Sequence, residues 1–178
     1  MEARLLIQFL RDPGWDLPFF KRLAHNDTGQ AVGHQGGIVI PKDLRIFFPT
    51  LDEAVTSAAA PTVDRSLTAE MFIPGRQVGS STIRYQFQTW RGRRRPESRI
   101  TSNLGPITSL AHEGDLLVMQ RNRERLDLFR LLLVRQSDQL FREFDRLAAG
   151  RRWGPLFTDE PPISQEELTS ARAAMIAE

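Results

Sequence analysis

The chain has 178 residues, 40% of them apolar and 26% charged, and contains no cysteine. That size and composition fit one soluble globular domain with a substantial core, and the missing cysteine excludes disulfides, thiolate metal sites and cysteine nucleophiles. The formal net charge is only +2 although the sequence pI is near 9.6, because 22 of the 24 basic residues are arginines and little titrates in between.

Residues 2–10 are predicted as a short helix ending before Pro13 and Gly14. No apolar run approaches the roughly 20 residues that cross a bilayer. Glu2, Arg11 and Asp12 do not fit a cleavable signal peptide, so a cytoplasmic protein without membrane contact is expected. Residues 17–23 read as a strand running into a polar stretch, and Gly33, His34, Gln35, Gly36 and Gly37 lead into a second strand at Ile38, Val39 and Ile40. Pro41 opens a short helix that Pro49 stops. Residues 50–66 show no clear period.

Further strands are predicted over 67–73, 82–88, 115–121 and 125–134. Residues 82–88 alternate with period two, which turns Ile83, Tyr85 and Phe87 toward the core. Asn122, Arg123 and Glu124 read as a hairpin turn, with Arg121, Arg123 and Arg125 as solvated charges beside it. Ser137 is predicted to start a helix running to about Ala149, with Leu140, Phe141, Phe144 and Leu147 on one face and Gly150 as its stop. After Pro161 and Pro162, Ser164 and Glu167 form a capping-box pattern for a last helix reaching Glu178. A chain ending inside a helix is either a piece of something longer or a frayed native terminus. Many short strands with few helices predict a mainly β barrel or sandwich with flanking helices, and long loops between non-sequential strands favour a partly open barrel.

The basic charge is focused. Residues 81–105 carry six arginines against Glu97, a net of about +5, so the rest of the chain is slightly acidic. Residues 91–99 alone hold five guanidinium groups and one carboxylate, and Gly92 and Pro96 keep them out of regular helix. Such a segment fits the major groove of DNA, where arginine forks onto guanine O6 and N7 and a carboxylate accepts from cytosine N4. The plainer reading of a charge run is a solvated loop; the flanking strands, the single acid and Trp90 argue against it. Asn26, Asp27, Thr28 and Gly29 read alone as an ordinary turn.

Catalytic patterns do not emerge. Neither Lys21 nor Lys42 follows an acid as the metal-dependent nuclease arrangement requires, and there is no His-x-Lys. His25, His34 and His112 are scattered, no Gly-x-Ser-x-Gly elbow occurs, and Gly36-Gly37 lacks the Lys-Ser/Thr of a phosphate loop. A nuclease acting alone, a transcription-factor-like DNA binder and a protein-interaction or single-strand RNA module are the competing readings. Trp90 and Tyr85 are too sparse for the stacking platforms that single strands need.

Lys21-Arg22-Leu23 with Asn26-Asp27-Thr28-Gly29, then Gly33-His34-Gln35 with Ile40-Pro41, and finally Arg93, Arg95, Glu97, Arg99, Ile100 and Thr101 resemble the N-terminal effector domain of EcoRII-type restriction endonucleases. The resemblance covers roughly residues 17–150. It implies a B3-type seven-stranded open pseudobarrel, filling a single domain over 1–178 with a core at about 17–150 and a helical extension at about 163–178. It also implies two arms in the major groove: an N-arm at 25–35 and a C-arm at 91–103. By the same resemblance Arg93, Arg95, Glu97, Arg99, Asn26, Asp27, His34 and Gln35 would read bases. Lys21, Arg22, Thr28, Arg84, Arg91, Ser98 and Asn103 would hold the DNA backbone. Arg93 stands where the family has lysine, Pro96 where it has a small polar residue, Ser98 where it has a basic one and Val39 where it has an aromatic one. The implied partner is double-stranded DNA of the CCWGG type (W is A or T), bound by a non-catalytic monomer in a bacterial cytoplasm. No cofactor is expected for binding; Mg²⁺ would serve only a separate nuclease domain.

Overall fold

The computed structural model describes residues 3–30, 36–89 and 95–159. Its elements in chain order are α1 (Ala3–Leu10), β1 (Phe19–Arg22), β2 (Ile38–Ile40), β3 (Thr62–Ile73), β4 (Arg76–Gln88), β5 (Glu97–Thr101), α2 (Gly105–Thr108), β6 (Leu116–Arg121), β7 (Leu128–Val134), α3 (Phe141–Ala148) and β8 (Trp153–Pro155). Short 3-10 segments at His25–Asp27, Lys42–Phe47 and Glu53–Val55 complete the described elements. All strands join one curled sheet in the order β2-β5-β4-β3-β7-β6-β1-β8. Every neighbouring pair is antiparallel except β3 with β7. Parallel pairing needs a long crossover, and residues 74–127 provide it through three other strands.

Side-chain alternation decides what each strand covers. In β4, Ile83, Tyr85 and Phe87 are buried as expected, while Arg84 faces out. In β6 and β7 both faces are buried, which is why their sequences look continuously apolar. Leu117, Met119, Phe129, Leu131 and Leu133 point into the barrel, whereas Leu116, Val118, Leu132 and Val134 point out onto α1 and α3. β1 divides likewise: Phe19 belongs to the barrel core and Phe20 to the outer one. Inside the barrel Phe19 stacks on Phe47 at 3.9 Å between ring centroids, and Phe48 stacks on both Tyr85 (4.6 Å) and Phe129 (5.0 Å). The short turn after Pro41 thus plugs one end of the barrel with two phenylalanines.

Several expectations need correcting. The described residues form eight strands rather than seven, because Trp153–Pro155 adds a short edge beyond β1. β3 begins at Thr62 inside the stretch that showed no period, and Glu97–Thr101 is a strand where an irregular arm was expected to continue to residue 103. α3 starts at Phe141 instead of Ser137, because Asp138 closes a turn first: its carboxylate accepts from Arg135 N (2.8 Å) and pairs with Arg135 Nη2 (2.7 Å). The helix ends on Ala149 and Gly150, both with positive φ. Arg121 is fully buried rather than solvated, with its guanidinium on Asp16. The expected final helix falls on residues outside those described.

Candidate nucleic-acid interface

The connections from β1 to β2 and from β4 to β5 carry the two expected arms, and β2 and β5 are neighbours. Their antiparallel register pairs Ile38 with Ile100, Val39 with Arg99 and Ile40 with Ser98. The N-arm therefore enters this ladder at its Ile38 end, while the C-arm enters it at Glu97, beyond the opposite end. Two local turns fix that geometry. Gly37 has φ +108°, a conformation that L side chains rarely adopt, and a Cβ there would collide with the Ile100 carbonyl and lie 2.5 Å from Thr101 Cγ2. Gly37→Ala is therefore expected to destabilise the chain by about 1–3 kcal/mol, from strain and overpacking together. A thermal melt checks this, and an unchanged midpoint would contradict it. At the far end of β5, Ser102 and Asn103 both have positive φ, and Asn103 Nδ2 donates to Thr82 O at 2.8 Å.

In the N-arm, His25 and Asn26 are exposed on a single 3-10 turn. Asp27 and Lys21, expected on bases and phosphates, are instead buried against each other, 2% and 7% exposed. Lys21 Nζ donates to Asp27 Oδ1 at 2.8 Å and to the Val39 carbonyl at 2.6 Å. Asp27 also accepts from Ala24 N (2.8 Å) and Val39 N (3.0 Å), so its oxygens are occupied within the fold. Burial holds the Lys21 ammonium below its ordinary pKa, with Asp27 opposing and the nearby Arg99 and Arg152 adding to the depression. Thr28 is buried too: its hydroxyl donates to His25 O (2.8 Å) and accepts from Gln30 N (3.3 Å). Arg22 lies across β1 from Lys21 and is held by Asp145 of α3 (2.5 Å) and the Gly114 carbonyl (3.2 Å), away from the arms.

On the C-arm side, Arg95 and Pro96 are exposed. Glu97 and Arg99, two apart on β5, share its outward face. Arg99 Nε donates to Glu97 Oε1 at 2.7 Å, with the Arg99 side chain 6% exposed and that of Glu97 25%. Ser98 points the other way and is buried, hydrogen-bonded to the Tyr85 hydroxyl, so the expected backbone contact is not on the surface. Arg84 is exposed on the outward face of β4, 3.4 Å from Asp64. His34, Gln35, Arg91 and Arg93 lie outside the described residues.

Beside the root of the N-arm, at the Thr101 end of β5, is a cleft of about 350 Å³, bordered by Thr28, Gly29, Gly37, Thr101, Ser102 and Gly105. The sequence reading missed how much of its polar inventory is internal. No local signal pairs Lys21 with Asp27 across a 3-10 turn or Arg121 with Asp16 across the fold. No described helix is long and apolar enough to cross a membrane.

Comparison with known proteins gives this geometry a lineage. Among curated proteins none matches. Among solved structures the chain is similar to the B3 domain of UbaLAI restriction endonuclease, crystallised with its cognate DNA. The TM-score is 0.55 at 17% identity, over 90% of this chain and 93% of that one. That likeness makes the eight-stranded open barrel a B3-type pseudobarrel. The family model described as restriction endonuclease EcoRII, N-terminal, matches residues 16–138, from the loop before β1 to the turn after β7. Because that match spans well over half the sequence, the chain belongs to the family of EcoRII restriction endonuclease N-terminal domains.

Proposed function

We propose that this chain is the double-stranded-DNA recognition domain of a restriction endonuclease, reading a CCWGG-type site with two arms in the major groove. Its role is to target or allosterically activate a separate nuclease domain, which would supply the Mg²⁺ chemistry. The observation that supports the reading is that the two connections expected to form the arms join one short ladder, β2 with β5, at its opposite ends. From Gly37 to Pro41 is four residues, about 13 Å at the rise of an antiparallel strand. That span is comparable with the roughly 12 Å width of the major groove. The similar UbaLAI domain was solved on its cognate DNA, which supports the same partner here.

In this reading Arg95, with Arg93, donates to guanines, Glu97 accepts from a cytosine amino group, and Asn26, His34 and Gln35 read from the other side. Arg99 orients the Glu97 carboxylate through the 2.7 Å hydrogen bond between them. Arg84, Arg91 and Asn103 are the proposed backbone contacts, which set register without reading sequence. Selection from a random duplex library would give the preferred site. Against that site, Arg95→Ala is expected to lower the preference over a scrambled duplex by about tenfold or more, since each bidentate base contact discriminates by about 1–3 kcal/mol. Equal binding of all duplexes by the unmodified chain would refute the proposal.

A further inference from the structure

An open barrel has a gap where its first and last strands fail to pair. Here β2 is one end of the sheet, and β1, followed only by β8, lies at the other. An unpaired strand edge leaves donors and acceptors that must find partners. At Val39, the centre of β2, side chains take that role. The Val39 N–H donates to Asp27 Oδ1 (3.0 Å), and its carbonyl accepts from Lys21 Nζ (2.6 Å). Lys21 comes from β1 and Asp27 from the N-arm, so one buried ion pair spans the gap. Asp27 also ties back to Ala24 N, fixing the turn that carries Asn26.

The same residue of β2 faces the other arm. Val39 is registered with Arg99 of β5, and Arg99 binds Glu97 at the root of the C-arm. Asp27, Val39, Arg99 and Glu97 thus lie in a row from one arm to the other, with hydrogen bonds at either end and the β2–β5 pairing between them. We propose that the Lys21–Asp27 pair is a clamp across the gap of the barrel that fixes the two arms relative to each other. Asp27 then acts as a positioning residue for base reading at Glu97, which it does not touch. The proposal rests on the DNA reading above. It differs in kind, because it gives a residue expected on a base the task of aligning two base-reading elements. A buried ion pair with all its hydrogen bonds made is suited to that task, since its geometry specifies one arrangement even where its net stabilisation is small.

The experiment uses the full chain carrying Asp27→Asn, which keeps the shape and one acceptor but removes the charge. The paired variant Lys21→Met with Asp27→Asn serves if the single one does not fold, because it leaves no uncompensated buried charge. Anisotropy titrations with the selected and a scrambled duplex are expected to show the preference falling about tenfold, while the scrambled duplex is held within about threefold of its former affinity. Amide exchange without DNA is expected to quicken both at Val39 and at Glu97, Ser98 and Arg99. A folded variant with an unchanged preference, or with both duplexes weakened alike, would overturn the clamp. So would faster exchange confined to Val39. If the unmodified chain prefers no duplex, the DNA reading itself fails, and the exchange pattern still decides whether the arms are mechanically joined.

Discussion

Asp16→Ala is expected to cost about 3–5 kcal/mol of unfolding free energy, the loss seen when one partner of a buried ion pair is removed and the other is left behind. Asp16 Oδ2 meets both Arg121 Nε at 2.7 Å and Nη2 at 2.5 Å, two charge-assisted contacts to a single carboxylate oxygen. Arg121 is 0% exposed and reaches the Phe47 carbonyl as well, at 3.4 Å. Asp16 N in turn donates to Arg121 O (2.8 Å), and Arg123 Nε lies 3.4 Å from Asp16 Oδ1. One ion pair therefore joins the loop before β1, the end of β6 and, through Arg121, the turn that plugs the barrel. Burial raises the Asp16 pKa and lowers that of Arg121, and each partner works against the other's shift. Removing the carboxylate takes away the opposite charge that makes burial of Arg121 tolerable. Replacing both residues by apolar ones should be far milder. Urea unfolding checks this: the midpoint should drop with the slope unchanged. A loss under about 1 kcal/mol would place Asp16 among ordinary surface pairs.

What could be read from the sequence was whatever has a period. Alternation in β4 gave the inward face of Ile83, Tyr85 and Phe87. The apolar runs at 116–119 and 128–134 marked strands, although they could not reveal that two different cores share them. β5 was hidden because Glu97, Ser98, Arg99 and Thr101 are polar. It is a strand because Ile100 is buried and because β2 and β4 pair with it on both sides, a tertiary cause with no local trace. β8 has three residues, one a glycine at φ +141°, too few for any period. The candidate site stood out by residue type and spacing, not by role. Asn26 and Arg95 are exposed and Glu97 is partly so at the start of β5, but Lys21, Asp27 and Thr28, close by in the same N-terminal motif, turn inward. A polar motif does not state which of its members hold the loop and which reach beyond it.

Glu97→Gln is expected to change the preferred base rather than abolish binding. The carboxylate offers only acceptors, and one oxygen is engaged by Arg99 Nε. A glutamine in the same place would keep its amide oxygen on Arg99, because an amide nitrogen there would meet a donor. Its NH₂ would then take the place of the second carboxylate oxygen, the one that the proposed reading turns to the groove. Cytosine presents a donor at N4, so the contact proposed to favour it would become a clash of donors, while thymine O4 or guanine O6 and N7 could now accept. The preference for cytosine at that position should fall by about 1–3 kcal/mol, roughly tenfold to a hundredfold, and move toward a base with an acceptor edge. Affinity for a scrambled duplex should rise slightly, since one negative charge near the phosphates is gone. Repeating the library selection with the variant shows the outcome directly. A preferred site identical to that of the unmodified chain would mean that Glu97 orients Arg99 and reads no base.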